Sequence, residues 1–351
     1  MSTIQPSSSD SRPARPSATV KPAGAASDAA NAAGTGHDEK TDTVFGKLEI
    51  PDTAQPIRMA WDYTIVLTLV HILAVVALLP GNFGYLFSWT GVVVAFLGHL
   101  LFGMMGVTIG YHRLLTHQGF TCPKWFERTL AVLGICTLQD SPARWVAIHR
   151  QHHKHSDEHH DPHSPLVNFF WGHMGWLFVT NRDHVKVSSF EKYVRDLLRD
   201  PFYLRLEKST FLLPLWLQIY VAHAILFFVG GYIAGGFIEG TTPMQFGLSM
   251  FFWGVVIRTV AVLHGTWSVN SLSHTFGYRN YETSDNSRNN FFVALISHGE
   301  GWHNNHHHDQ RAASHGHLPS EFDMSWWVIR GLEMVGIAKN VVRPRVWKEQ
   351  A

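Results

Sequence analysis

Residues 85–117 read YLFSWTGVVVAFLGHLLFGMMGVTIGYHRLLTH, and how this stretch is placed decides the fold. It is apolar as far as Tyr111, broken only by small residues and His99, and then runs without a turn signal into a polar end that holds His112 and His117. As one helix it would be roughly 50 Å long at about 1.5 Å per residue. The hydrocarbon core of a bilayer is roughly 30 Å thick. Such a helix crosses the membrane and projects beyond it, lifting both histidines above the lipid.

Three more runs are long enough to cross: residues 61–80, 211–233 and 246–269, the last containing Arg258 and His264. Runs at 126–138, 166–179 and 326–337 are too short and are expected to lie at the interface or inside the protein. Of the 28 Lys and Arg residues, only Arg258 lies within the spans or in the two short turns that join them in pairs. Basic residues stay on the cytoplasmic side. The expected architecture is therefore an all-α integral membrane protein of four transmembrane helices in two hairpins. Both turns face outward, and the termini and a helical cap are cytoplasmic (at the inner membrane, in a bacterium).

Composition agrees. Of 351 residues, 46% are hydrophobic and 16% charged, against about 25% charged in soluble proteins. The net charge of +1 offers no general basic field, so no nucleic-acid partner is expected. Two cysteines, Cys122 and Cys136, exclude a disulfide scaffold and a thiolate zinc cluster. Residues 1–45 hold few large apolar side chains and are expected to be a disordered tail, with residues 46–351 forming one domain. No apolar stretch near Met1 resembles a signal peptide.

Histidine is the anomaly, with 24 residues. His112 and His117 end the second span. His149, His152 and His153 form HRQHH in the polar segment that follows, and His274 ends WSVNSLSH beyond the fourth span. His303, His306 and His307 lie in GEGWHNNHH. An even number of crossings separates these groups, so all should reach one side of the membrane. Positions i, i+3 and i+4 share a helix face, so each HxxHH trio is expected to converge, and Asn270 is i, i+4 with His274. The His112–His117 pair is i, i+5, about 140° apart on an α-helix. It suits one ion only if the helix loosens at its end; otherwise the two rings serve different ions. Nine imidazoles suggest two ions, and imidazole alone suits Fe, Cu, Ni or Zn. A lone histidine is better read as a packed or solvated side chain, but three boxes together are not.

HRLLTH, HRQHHKHSD with DPHSP, and GEGWHNNHH resemble the membrane fatty acyl desaturases of the stearoyl-CoA (Δ9) type, over roughly residues 46–346 and including the four-span layout. The resemblance implies a di-iron centre held by His112, His117, His149, His152, His153, His274, His303, His306 and His307, with Asn270 reaching one of two Fe ions through a water. It implies O2-dependent removal of two hydrogens from an unactivated chain, leaving a cis double bond whose position is set by a bent tunnel. The reacting groups are the metal ions, and no separate acid or base is assigned. Each cycle needs two external electrons. No haem-binding HPGG is present, so the expected donor is a separate protein, a ferredoxin or a cytochrome with its reductase. Animal acyl-CoA members carry charged residues just before the second box where this chain has Ala147 and Ile148. An acyl-lipid substrate, as in bacterial and plant-type members, therefore stands beside acyl-CoA.

Four further residues are candidates for support. Asp161 and Glu300 are placed to orient ligand imidazoles, as carboxylates often do. Trp145, one turn before His149, resembles the family's tunnel wall. His264 lies roughly 15 Å deeper than His274 and would line the tunnel or pack as a hydrogen-bonded histidine. His298, His308, His155, His159, His160 and His163 are read as solvated or supporting rings, and His71, His99 and His223 as interhelical hydrogen bonders. Two other functions fit parts of the pattern. A di-iron hydroxylase or oxygenase would share the scaffold. A membrane metal transporter or metal-binding protein would use histidines too, but transporters place ionisable ligands at the midplane of the spans.

Overall fold

The computed structural model describes residues 46–210 and 213–349. The expected tail lies outside the described residues, as does the start of the expected third span. Four helices are long and apolar enough to cross a membrane: Trp61–Leu78, Trp89–Thr116, Leu215–Gly235 and Pro243–His274. They are joined in sequence as the two expected hairpins.

The boundaries differ from the expected ones for local reasons. The first span stops at Leu78 because Leu79 is extended and Pro80 opens a new short helix, Pro80–Leu86. Proline suits a first helical position, where its missing N–H costs nothing. The second span starts at Trp89 rather than Tyr85 because Ser88 caps it, accepting a hydrogen bond from the Gly91 amide at 2.9 Å. The fourth span starts at Pro243 behind a Thr242 cap and continues past the expected end at Val269 to carry His274 out of the apolar zone.

Span three lies against span four across glycines. A Cβ on Gly231 would meet the Met250 Cβ at 2.7 Å, so only a hydrogen lets the two backbones approach this closely. Arg258, fully buried in span four, is satisfied by the carbonyls of Gly254 (3.0 Å) and Cys136 (2.7 Å) and by His223 Nε2 of span three (3.0 Å). His99 likewise reaches across to the Ile296 carbonyl at 3.1 Å.

The polar segments form a helical cap. The expected short run at 126–138 is the helix Lys124–Ile135, whose Leu130 and Ala131 are buried. It packs on span two, where a Cβ on Gly106 would lie 2.4 Å from the Gly134 nitrogen. The run at 166–179 divides into Phe169–His173 and the 3₁₀ turn Gly175–Phe178, and the run at 326–337 becomes Met324–Met334. Among the described residues the only strand pair is Ser209–Thr210 with Leu213–Pro214.

Candidate metal centre

Three local structures aim the histidines. Span two is π-wound over His99–Thr116, so residues five apart come nearly into line. His112 and His117 face each other with ring centroids 4.8 Å apart, which settles the open choice at this pair in favour of a loosened helix. The helix Pro142–His155, capped by Ser141 with Pro142 at its first position, carries the second box. The short helix His303–His308 carries the third.

The nine rings meet, but in a different division from the expected one. His112, His117, His149, His153 and His306 form one group, and His152, His274, His303 and His307 the other; within each, the ligand-capable atoms all lie within 4.8 Å of one another. Neither HxxHH trio therefore converges on one point. Helical geometry explains the split: at about 100° per residue, i and i+4 differ by about 40°, whereas i+3 falls about 60° to the other side. His149 and His153 stay together at 4.6 Å between centroids while His152 turns to the second group. His303 and His307 stay together at 4.4 Å while His306 turns to the first.

Carboxylates behind the rings fix the tautomers. His152 Nδ1 is 3.0 Å from Asp161, His274 Nδ1 is 3.0 Å from Asp157, and His307 Nδ1 is 2.5 Å from Asp285. His112 Nδ1 pairs with Glu300. Burial opposes ionisation of these acids, yet the facing imidazoles hold the Asp157, Asp161, Asp285 and Glu300 carboxyls below their ordinary range. An ionised carboxylate only accepts hydrogen bonds, so these four rings donate from Nδ1 and leave Nε2 as the nitrogen available to a metal. Burial, reinforced by neighbouring rings, pushes His117, His149, His153, His303 and His306 well below the usual imidazole range, so these five are neutral.

The inward nitrogens crowd together. Nε2 to Nε2 distances are 3.0 Å for His149–His153 and for His153–His306, 3.2 Å for His112–His306 and 3.1 Å for His274–His303. The buried Nε2 atoms of His117, His152 and His307 have no hydrogen-bond partner in the protein. Ring nitrogens that converge in this way offer a donor set for a cation. Two imidazole nitrogens at right angles on an ion about 2.1 Å away stand about 3.0 Å apart, whereas a tetrahedral ion spaces them about 3.4 Å apart. The edges match the right-angled arrangement. The donor set thus fits two metal ions with more than four ligand positions.

A cavity opens beside both groups, lined by His112 and His149 of the first and His303 of the second. Its other walls include Leu67, Val107, Trp145, Leu263, Trp267 and Asn270. Trp145 Nε1 donates to Gln139 Oε1 at 3.2 Å, and Gln139 donates in turn to Thr266 Oγ1 at 3.0 Å, which fixes the indole beside His149. Asn270 stands in the cavity wall with His112, His149 and His303.

His264 is not among the lining residues and, of the two roles open to it, takes that of a packed, hydrogen-bonded histidine. Its Nε2 pairs with His71 at 3.1 Å and its Nδ1 with His173 at 3.0 Å, tying spans one and four to the cap. Of the other histidines, His163 and His298 line the cavity, and His308 stacks on Tyr281 at 3.9 Å. Three residues behind the centre were not singled out from sequence: Asp157, Asp285 and His315. Asp157 had a signal, since it opens the acidic stretch after the second box. Asp285 reaches His307 from a loop with no revealing spacing, and His315 follows the third box outside its pattern.

Comparison with known proteins agrees with this geometry. The sequence profile of fatty acid desaturases matches residues 87–329. An sn-1 stearoyl-lipid 9-desaturase of Anabaena variabilis is 38% identical over 294 residues, 84% of this chain and 97% of that protein. An sn-2 palmitoyl-lipid 9-desaturase of Nostoc sp. (strain 36) is 36% identical over 85% of this chain and 95% of its own length. An acyl-CoA 5-desaturase of Anemone leveillei is 36% identical, with 74% of each chain covered.

Proposed function

This chain belongs to the fatty acid desaturase family, and from that premise we propose that it places a cis double bond at carbon 9 of a saturated acyl chain carried by a membrane lipid, at a di-iron centre. That it is a membrane-embedded fatty acyl desaturase follows from the family and from its four spans. The metal, the bond position and the lipid carrier are the further reading. One observation carries it: a largely apolar cavity ends against His112, His149 and His303, so a buried methylene chain would lie alongside both histidine groups.

In this reading His112, His117, His149, His153 and His306 hold one iron and His152, His274, His303 and His307 the other, with Asn270 contributing through a water. Bound iron would supply the activation of O2 that removal of hydrogen from an unactivated carbon requires. The protein buries the rings, orients His112, His152, His274 and His307 through Glu300, Asp161, Asp157 and Asp285, and keeps the reacting carbons dry. Reduction of O2 to two waters takes four electrons. The C–H pair provides two, and a separate donor of ferredoxin or cytochrome type provides the others. Ala147 and Ile148 present no charge before the second box; Ala147 is buried and Ile148 lines the cavity, which favours a lipid over a CoA thioester. The lipid-desaturase names of the two cyanobacterial relatives support the same carrier. Residues 46–351 then form one desaturase domain with the centre on the cytoplasmic side.

Lipid analysis of a host expressing the chain tests the proposal, with phospholipid or glycolipid and acyl-CoA pools measured separately. New Δ9 monounsaturated chains should appear first in the glycerolipid pool. Hydroxylated chains, or metal transport without oxygen-linked electron use, would overturn the assignment, and first appearance in acyl-CoA would overturn the carrier.

A further inference from the structure

A tenth imidazole backs the five-histidine group. His315 is completely buried, and its backbone N–H donates to Asp323 Oδ2 at 2.7 Å. Its ring stacks on His306 with centroids 4.2 Å apart at 28° and lies 5.3 Å from His112. Its Nδ1 is 3.3 Å from Glu300 Oε2, the same oxygen that faces His112 Nδ1. The opposite oxygen, Glu300 Oε1, takes Arg113 Nε at 3.1 Å and Nη2 at 3.0 Å, while Arg113 Nη1 is held by Asp323 at 2.9 Å. Neither ring nitrogen of His315 closes a hydrogen bond within the protein, and the Glu300 carboxylate, 3.3 Å from Nδ1, is the acidic group its ring faces.

Resting on the di-iron reading, we propose that His315 is a positioning residue for the ion of the five-histidine group: with Arg113 it clamps Glu300 so that His112 keeps its hydrogen on Nδ1 and its lone pair toward the metal. The two sides differ: the guanidinium hydrogen-bonds one carboxylate oxygen, and the imidazole Nδ1 stands 3.3 Å from the other without closing a hydrogen bond. The second group has a looser counterpart with no guanidinium. Asp161 sits between His152 at 3.0 Å and His163 at 3.9 Å, and the His163 ring stacks on His152 with centroids 4.4 Å apart at 29°. Partners behind a metal ligand typically change metal affinity by about 10–100-fold when removed.

The test compares full-length wild type, His315→Phe and His315→Asn, each purified in detergent and loaded anaerobically with ferrous iron. Phenylalanine keeps the volume and the stack but removes the N–H; asparagine loses the stack but offers an amide N–H near the position of Nδ1. Iron retention at one of two ions should weaken about 10–100-fold in the Phe variant, with one component of the Mössbauer spectrum lost, and the Asn variant should recover most of it. A Phe variant with two ions and the wild-type spectrum, or an Asn variant no better than Phe, overturns the role of His315. A wild type that binds no iron overturns this role together with the reading beneath it.

Discussion

His112 and His117 stand five residues apart on one helix, yet their rings face each other edge to face at 4.8 Å. The His117 amide donates to the His112 carbonyl at 3.1 Å, an i→i+5 bond of the π-wound end of span two. Such winding is rare, and it concentrates at functional sites because it re-aims side chains at the cost of poorer backbone geometry. Here it turns a pair that an α-helix would splay into neighbours in one donor group.

That helix must be held close to the cap for the rings to meet. Gly106→Leu would drive its side chain into the backbone at Leu133 and Gly134, where even a Cβ falls at 2.4–2.5 Å. Overpacking of this kind costs about 1–3 kcal/mol. Thermal unfolding in detergent should show a lower Tm and a loss of bound iron, whereas Gly81→Leu, with no atom within 4 Å of its Cβ, should behave as wild type. Equal behaviour of the two variants would separate helix packing from the centre.

His306 touches His112 at 3.2 Å and His153 at 3.0 Å through the same nitrogen, so it joins spans and cap within one group. His306→Ala should abolish turnover while the protein still inserts in the membrane. Retained product in the lipids of expressing cells would count directly against the ligand assignment.

Asp285 reaches the centre from a loop and holds His307 from behind at 2.5 Å, itself braced by the Ser287 amide at 3.0 Å. Asp285→Asn keeps the shape and removes the charge. Iron should dissociate about 10–100-fold more readily, read by competition with a chelator at fixed pH; unchanged retention would show that the loop only packs there.

Much of this arrangement was legible in the sequence, and the rest was hidden for definite reasons. Apolar run length marked all four spans because lipid thickness leaves little choice, but Pro80 and Ser88 moved two boundaries through local capping that a hydropathy run does not register. Box spacing marked nine histidines that do come together. It did not show that His152 and His306 exchange groups, because i+3 and i+4 neighbours share a face yet diverge by about 100°. Asp285, His315 and the His71–His264–His173 chain depend on which distant segments pack together, and no local pattern carries that information.

Acid should weaken the metal-free chain through histidines outside the centre. Burial, with Arg144 nearby, lowers His184 from 6.5 to about 3, and burial lowers His317 from 6.5 to about 4 despite the neighbouring Glu321. Between those values the unfolded chain takes up a proton that the folded chain refuses, so stability is full above pH 6.5 and falls as pH drops toward about 4. Tm in detergent should decline across that window, and His184→Gln, which can still face Gln151, should flatten the decline. A Tm that rises on acidification would contradict the burial of these rings.

The most direct measurement is iron bound per purified wild-type chain, taken with its Mössbauer spectrum. Nine imidazoles divided five and four predict two high-spin ferrous ions in distinct environments, neither of them tetrahedral. A single zinc ion, or one iron in a single environment, would contradict it.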